Sequence, residues 1–321
     1  MKAMERRGHQ VVWPNAEGRV DLRRLVECDV VHIYRAKGED LRDLLGRLAR
    51  GGMPVTYDID DDIAGVPRES PSYNSLGKLP GNLAWKRNFE LSVQLARLAR
   101  SLTTTNEVLA EKYRKAGVEQ VAVIGNFLAN DALRPRRSHD GIVVGWISAM
   151  EHQADLAHIN IANALQRLVS KHKSVRVECI GVDLKLPERY RHDRVVPFND
   201  LPGRIDGFDI GIAPLADIPF NHARSDIKLK EYAACGVPWL ASPVGPYLGL
   251  GEAQGGCLVS NDDWFEALDR LVTHRLKRWQ LGRNARAWAK RQTIDVGADQ
   301  WERVFSEACL GAQRSQVEAR T

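Results

Sequence analysis

The chain has 321 residues, 44% hydrophobic and 27% charged, and its 46 Lys and Arg against 41 Asp and Glu leave a net charge of +5. This fits one large or two medium domains and is the ordinary composition of a soluble globular enzyme. The small positive excess suits an anionic substrate or an anionic membrane surface; nucleic acid is only weakly supported, because no basic run carries interleaved aromatics.

Five scattered cysteines (Cys28, Cys179, Cys235, Cys257, Cys309) show no metal-ligand spacing, which points to reduced thiols in a cytoplasmic setting. No apolar run approaches the roughly 20 residues of a membrane span. Met1–Gly8 is charged and has no apolar core, unlike a signal peptide.

In chain order, Met1–Gly8 reads as the tail of a helix and His9–Trp13 as a strand. Val20–Glu27 is a short helix. Asp29–Tyr34 is a buried strand ending at Arg35, and Asp40–Arg50 an amphipathic helix with Leu41, Leu44, Leu45 and Leu48 on one side. Val55–Ile59 is the next strand and runs into Asp60-Asp61-Asp62, so Asp58, Asp60, Asp61 and Asp62 crowd a strand's carboxyl end. Residues 64–82, rich in Pro, Gly and Ser, read as a long loop, either a flap near a site or a plain surface excursion. Leu83–Arg100 is a helix, Ser101–Thr105 a strand, Glu107–Ala116 a helix, and Val121–Ile124 a strand with Asn126 in the turn after it.

Asn130–Asp140, charged and poor in apolar residues, is the best linker. Ile142–Ile147 then opens a second domain, followed by the loop 148–152 and a helix over Asp155–Val169. Strands are predicted at Val175–Ile180 and Val195–Pro197, and a helical turn at Leu201–Ile205. Trp264–His274, Leu276–Ala289 and the amphipathic Ala298–Cys309 are helices. Residues 310–321 read as a polar, disordered tail.

The most informative stretch is 208–247. Phe208–Leu215 is an apolar run of the kind that forms a buried parallel strand. A polar loop with Asn221, His222 and Arg224 follows. Ser225 and Asp226 start a helix over Ile227–Cys235, which Gly236 and Pro238 stop. Trp239–Ser242 is another strand. This crossover unit places the loop and the helix start at the carboxyl edge of the sheet, where α/β proteins bind ligands and where free N–H groups favour an anion.

The run D-I-G-I-A-P-L, followed by K-x-x-E-Y-A-A-x-G-x-P, resembles the donor-binding segment of GT-B glycosyltransferases, most like family 4. The resemblance implies an α/β fold of two Rossmann-like domains facing a cleft. Residues 1–130 form the acceptor-side domain and residues 131–290 the donor domain. Residues 291–321 are a helix crossing back to the first domain plus a polar tail. The first strand of the N-terminal domain is missing from this pattern, so it either lies upstream or is replaced by another cover. Glu231 matches the glutamate that holds the ribose hydroxyls; a solvated helix charge paired with a nearby lysine is the alternative. The family's other glutamate falls at position 223, which is Ala223, and Asn221, His222, Arg224 or Ser225 stand ready to substitute. Arg224, Ser225 and Lys228 are expected to grip the donor phosphates and sugar. In the 148–152 loop His152 is the only nearby cation for the diphosphate, a solvated loop histidine being the alternative; Ser148 stands where glycine is common. For Lys228 and Lys230 the alternative is a solvated helix face.

The implied activity is transfer of a hexosyl group from a nucleotide-diphosphate-sugar to an acceptor hydroxyl, with retention and without metal. UDP- or GDP-sugar is a co-substrate and no cofactor is called for. Asp60, with Arg35 nearby, is the expected general base or positioning group for the acceptor. For Asp61 and Asp62 a turn cap or an ion pair is favoured. A metal-binding D-x-D site of the GT-A type is the competing reading of these aspartates. The acceptor is open: small molecule, lipid, glycan or modified DNA. The competing functions are a sugar-nucleotide 2-epimerase on the same fold and a non-catalytic nucleotide-sugar-binding protein.

Overall fold

A computed structural model describes residues 1–14, 21–36, 38–70, 73 and 81–318. Within the 64–82 loop, residues 71, 72 and 74–80 lie outside the described residues, as does the start of the helix expected from Val20. The chain divides into two compact units. The first holds residues 1–64, 82–125 and 294–321, the second residues 65–81 and 126–293.

In the first unit, α1 (Lys2–Arg6) and α2 (Leu22–Leu25) precede a four-stranded parallel sheet in the order β1-β2-β3-β4, made of Val31–Tyr34, Val55–Ile59, Ser101–Thr104 and Val121–Val123. The crossovers are α3 (Glu39–Arg50), α4 (Gly81–Leu98) and α5 (Glu107–Lys115). β2 is central and buried along its whole length, as its apolar and β-branched residues require.

In the second unit a six-stranded parallel sheet runs β10-β9-β8-β5-β6-β7. In chain order its strands are β5 (Ile142–Ile147), β6 (Val175–Ile180), β7 (Tyr190–Asp193), β8 (Ile210–Ala213), β9 (Trp239–Ala241) and β10 (Gly256–Leu258). Its helices are α6 (Ile161–Lys171), α7 (Leu201–Ile205), α8 (Pro219–His222), α9 (Ile227–Ala234), α10 (Trp264–Thr273) and α11 (Arg275–Ala289). Alternate residues of each strand feed two cores. Val144, Trp146, Val177 and Ile212 pack with α6 and α10, whereas Val143, Ile147, Phe208 and Ala213 pack with α9 and α11. Helices therefore cover both faces, which is the doubly wound arrangement. The long α12 (Ile294–Glu318) packs on α1 and β2 of the first unit, burying Ala298 against Ala3 and Met4 and placing Trp301 and Phe305 edge-on to His32.

Several boundaries differ from the sequence expectations. No strand forms over His9–Trp13, because among the described residues no strand of the first sheet pairs with it; His9 bonds to Glu302 and the Trp13 indole to Glu5 instead. β7 falls at Tyr190–Asp193, not at Val195–Pro197. Tyr190 and Asp193 pair with Val177 and Ile180, while Val195 is exposed. The helix expected from Asp155 begins only at Ile161, after two short 3-10 turns. The short β10 was not expected at all, and α12 continues through the segment expected to be disordered, to Glu318.

Candidate functional site

The strand order of the second sheet reverses between β5 and β8, which lie side by side. The loops leaving their carboxyl ends part in opposite directions there, and such a switch point is where open α/β sheets bind ligands. The loop after β5 carries His152 and Asp155; the one after β8 carries Asn221, Arg224 and Ser225 and leads into α9 with Lys228 and Glu231.

Both loops are clamped. The Ser148 hydroxyl donates to the Ile180 carbonyl (2.9 Å) and accepts from the Val182 N–H (2.8 Å). Ser148 thus ties the end of β5 to the end of β6, and the two approach so closely that a Cβ on Gly181, at φ +104, would lie 1.9 Å from the Ser148 carbonyl oxygen. α9 is fixed by Tyr232, which is fully buried. Its hydroxyl accepts from the Ile147 N–H (2.9 Å) and donates to the Ile212 carbonyl (2.8 Å), bolting the helix across the ends of β5 and β8. Gly211 leaves room for the Tyr232 ring, whose nearest atoms would lie 2.6 Å from any Cβ there.

Around this anchor the polar groups form one network. His152 is buried beside Trp146, with Nδ1 at 2.6 Å from Asp155 Oδ2 and Nε2 at 2.8 Å from Lys228 Nζ. Asp155 Oδ1 accepts from the Asn221 amide (2.6 Å) and the Ala216 N–H (2.9 Å). Burial alone would raise the Asp155 pKa, but these hydrogen bonds outweigh it and hold the carboxyl below its ordinary value. Burial, with Arg224 beside it, pulls Lys228 down to about 7. Burial also pushes Glu231 up to about 7, against the pull of Lys228. Two groups poised near neutrality on one helix, at a switch point, make this a candidate functional site. No side chain caps the start of α9, so its first-turn N–H groups add positive potential beside Arg224 and Lys228.

The expected residues divide by task. Lys228 and Glu231 enter the site directly, and Arg224 lies over the Phe220 ring at 5.2 Å. Ser225 accepts from the Asn126 amide (3.0 Å). Asn221 is buried and spends its amide hydrogens on Asp155 and the Ala216 carbonyl, so its amide group supports the site from behind. His222 bonds to Asp217 (2.7 Å) and is half-exposed. His152 is not the solvated loop histidine of the alternative reading. Lys230 does not lie on a solvated face either: it is buried, paired with Asp226 (2.8 Å), and donates to the Asn126 carbonyl (2.8 Å). Asp155 and Asn126 were missed; the H-x-x-D spacing of His152 and Asp155 was the available signal for the first.

In the first unit the aspartates after β2 diverge. Asp58 is buried against the Thr103 hydroxyl, and burial pushes its carboxyl up to about 6 despite that bond. Asp62 pairs with Lys112 and accepts from the Ala64 N–H. Asp60 accepts from the Tyr34 hydroxyl (2.9 Å) and from Arg35, whose guanidinium also reaches Asp61. Arg35 sits at φ +53, a left-handed conformation uncommon for a side chain of this size. Its N–H donates to the Asp58 carbonyl (3.0 Å), and the Tyr57 hydroxyl holds the next carbonyl, that of Ala36 (3.0 Å). Local strain of this kind collects at functional sites. Among the described residues no set of three or more His, Cys, Asp or Glu is arranged to hold a metal ion, and no helix is long and apolar enough to cross a membrane.

No protein-family model matches the chain. TuaH of Bacillus subtilis, a putative teichuronic acid biosynthesis glycosyltransferase, is 28% identical over 163 residues, which is 46% of this chain and 41% of that protein. HepE of Anabaena, solved with UDP-glucose, superposes with a TM-score of 0.62 at 17% identity, covering 89% of this chain and 80% of its own. TarM of S. aureus, solved with UDP, gives 0.56 at 15% identity over 79% of this chain and 51% of its own. The sucrose-phosphate synthase of Thermosynechococcus elongatus gives 0.58 at 15%, over 92% of this chain and 75% of its own. The fold is GT-B. Within it the second unit carries the switch-point cluster and the first unit the Asp60–Arg35 cluster.

Proposed function

We propose that the chain is a glycosyltransferase that takes a sugar from a UDP-sugar and passes it to an acceptor hydroxyl, without a metal ion. One observation carries this reading: Lys228 and Glu231 sit one helical turn apart on a helix that Tyr232 bolts over the switch point. In this reading Glu231, as a carboxylate, accepts from the two ribose hydroxyls. Arg224, Lys228 and the uncapped start of α9 take the diphosphate. The bond between the anomeric carbon and the diphosphate oxygen breaks, and the same cations stabilise the negative charge that builds on the departing UDP. Asp60, oriented by Tyr34 and Arg35, is offered to the acceptor hydroxyl, whose proton it takes as that oxygen bonds to the anomeric carbon. The name of TuaH supports the reaction class, and the UDP-glucose held by HepE supports the donor class.

The test is release of nucleotide from a panel of UDP- and GDP-sugars, with and without candidate acceptors, after exhaustive EDTA treatment. Acceptor-stimulated UDP release that survives EDTA is expected. Activity lost to EDTA and restored by Mn²⁺ would remove the metal-free part, and binding without release under any condition would make the chain a binding protein.

A further inference from the structure

The pair His152–Asp155 reaches the donor site through Lys228, which the proposed function assigns to the diphosphate, and its partners fix where the protons are. Asp155 is held ionised, so it can only accept, and His152 Nδ1 carries the hydrogen it donates. Burial first, and then the nearby Lys228, pulls His152 down to about 3, which leaves the imidazole neutral with a lone pair on Nε2. Lys228 must therefore be the donor across the 2.8 Å contact. Asp155 is itself locked from behind by Asn221 and by the Ala216 N–H.

We propose that Asp155 is a positioning residue for diphosphate binding: through His152 it holds the Lys228 amine at one point in the site, and that amine takes a proton from solvent as a nucleoside diphosphate arrives. The proposal rests on the function proposed above. A lysine stem ordinarily loses rotamer freedom when it orders on a ligand. Here His152 already holds the amine by a hydrogen bond within the protein, so less of the interaction is lost on binding. The charge of Lys228 is opposed by burial and by Arg224, and favoured by Asp155, Glu231 and Cys179. That balance leaves it protonated below about pH 7 and increasingly neutral above. A diphosphate adds negative charge at contact distance and favours the ammonium, so bound Lys228 stays protonated well above pH 7. Its contribution to affinity is thus full below pH 7 and declines as pH rises past 7 towards the bound-state value. Glu231, pushed up to about 7, acts in the opposite sense because it must ionise to accept the ribose, so the amine has to be read separately from the overall affinity.

Asp155→Asn supplies the discriminating variant. Its carboxamide oxygen must face the Asn221 and Ala216 donors, which leaves its NH₂ to donate to His152 Nδ1. That moves the imidazole hydrogen to Nε2, facing Lys228, where only a neutral amine can accept it.

The experiment is NMR of the full chain with isotope-labelled lysine, Lys228 being assigned by the signal lost in Lys228→Arg, with UDP and uridine as probes. In the wild type, Lys228 should titrate near pH 7 when empty and markedly higher with saturating UDP. In Asp155→Asn the empty-site midpoint should fall, and UDP affinity at pH 7 should drop about tenfold, the scale of one charge-assisted hydrogen bond, while uridine affinity holds. His152→Gln, whose amide oxygen takes the place of Nε2, should keep most of the UDP affinity that His152→Leu loses. A Lys228 that titrates at the ordinary lysine value, or an Asp155→Asn chain with unchanged midpoint and UDP affinity, would overturn the relay while leaving the proposed function intact. Failure of the wild type to bind either UDP or GDP would overturn both. Should Asp155→Asn not fold, the wild-type titration with and without UDP still decides.

Discussion

The two units each carry a cluster of carboxylates and cations at the carboxyl end of a parallel sheet, and they use it differently. In the second unit the Asp155 and His152 side chains are each 3% exposed and hydrogen-bonded to each other, and the network ends on Lys228, with Glu231 one turn further along the helix, both moved towards neutrality by burial. In the first unit the Arg35 side chain is 46% exposed, Asp60 is 15% exposed, and the order comes from a strained backbone rather than from burial. Burial fixes geometry and shifts proton affinity; partial exposure leaves a group able to meet an incoming molecule. In the proposed function the first arrangement takes the nucleotide and the second takes an acceptor hydroxyl.

This contrast can be broken by substitution. The largest effect is expected at Asp60. Asp60→Asn keeps the side-chain shape but replaces one accepting oxygen with an NH₂ and cannot take a proton, so turnover should fall by roughly 10²–10⁴, the usual range for a general base, with UDP affinity unchanged. Equal turnover would remove Asp60 from the chemistry. Next in size is Arg224→Ala, which should weaken UDP about ten- to hundredfold and leave uridine nearly untouched. Calorimetric titration with both ligands reads the difference, and equal losses would argue against a phosphate contact.

A smaller effect separates Asp58 from its neighbours. Its folded-state pKa is raised by burial, so the folded chain binds more protons than the unfolded one between the ordinary aspartate value and about pH 6. Stability should decline as pH rises through that window and level off above it. Asp58→Asn should lack that decline, which urea unfolding across pH 4–7 would show; an identical pH profile would place the Asp58 carboxyl in a more polar setting than the Thr103 contact implies.

The legible parts of the molecule share a physical cause. Ile142–Ile147 is legible to the residue because a strand buried on both faces is an unbroken apolar run, Val175–Ile180 because its buried apolar residues alternate with the half-buried Arg176 and Glu178, and the loop, helix and strand of 208–247 carry strong start and stop signals. β7 was misplaced because Tyr190–Asp193 is polar at an edge of the sheet, and β10 was overlooked because Gly256–Leu258 is too short to show a period. His9–Trp13 has a strand's composition but no partner among the described strands, and pairing is not a local property. For the candidate site, the motifs of 208–247 and the resemblance they carry singled out Lys228 and Glu231. They did not show that Asn221 supports Asp155, that Lys230 is buried against Asp226 and Asn126, or that His152 faces Lys228, since each of these is a contact between segments distant in sequence.

The central claim is that the second unit is a donor site built around Glu231. The most direct measurement is calorimetric titration of the full chain with UDP, beside Glu231→Ala. Saturable one-to-one binding is expected of the wild type and a ten- to hundredfold loss in the variant, about 1.5–3 kcal/mol for a charge-assisted hydrogen bond. Binding of equal strength in both, or UDP binding that survives Glu231→Ala but is lost when Asp60 is replaced, would contradict it.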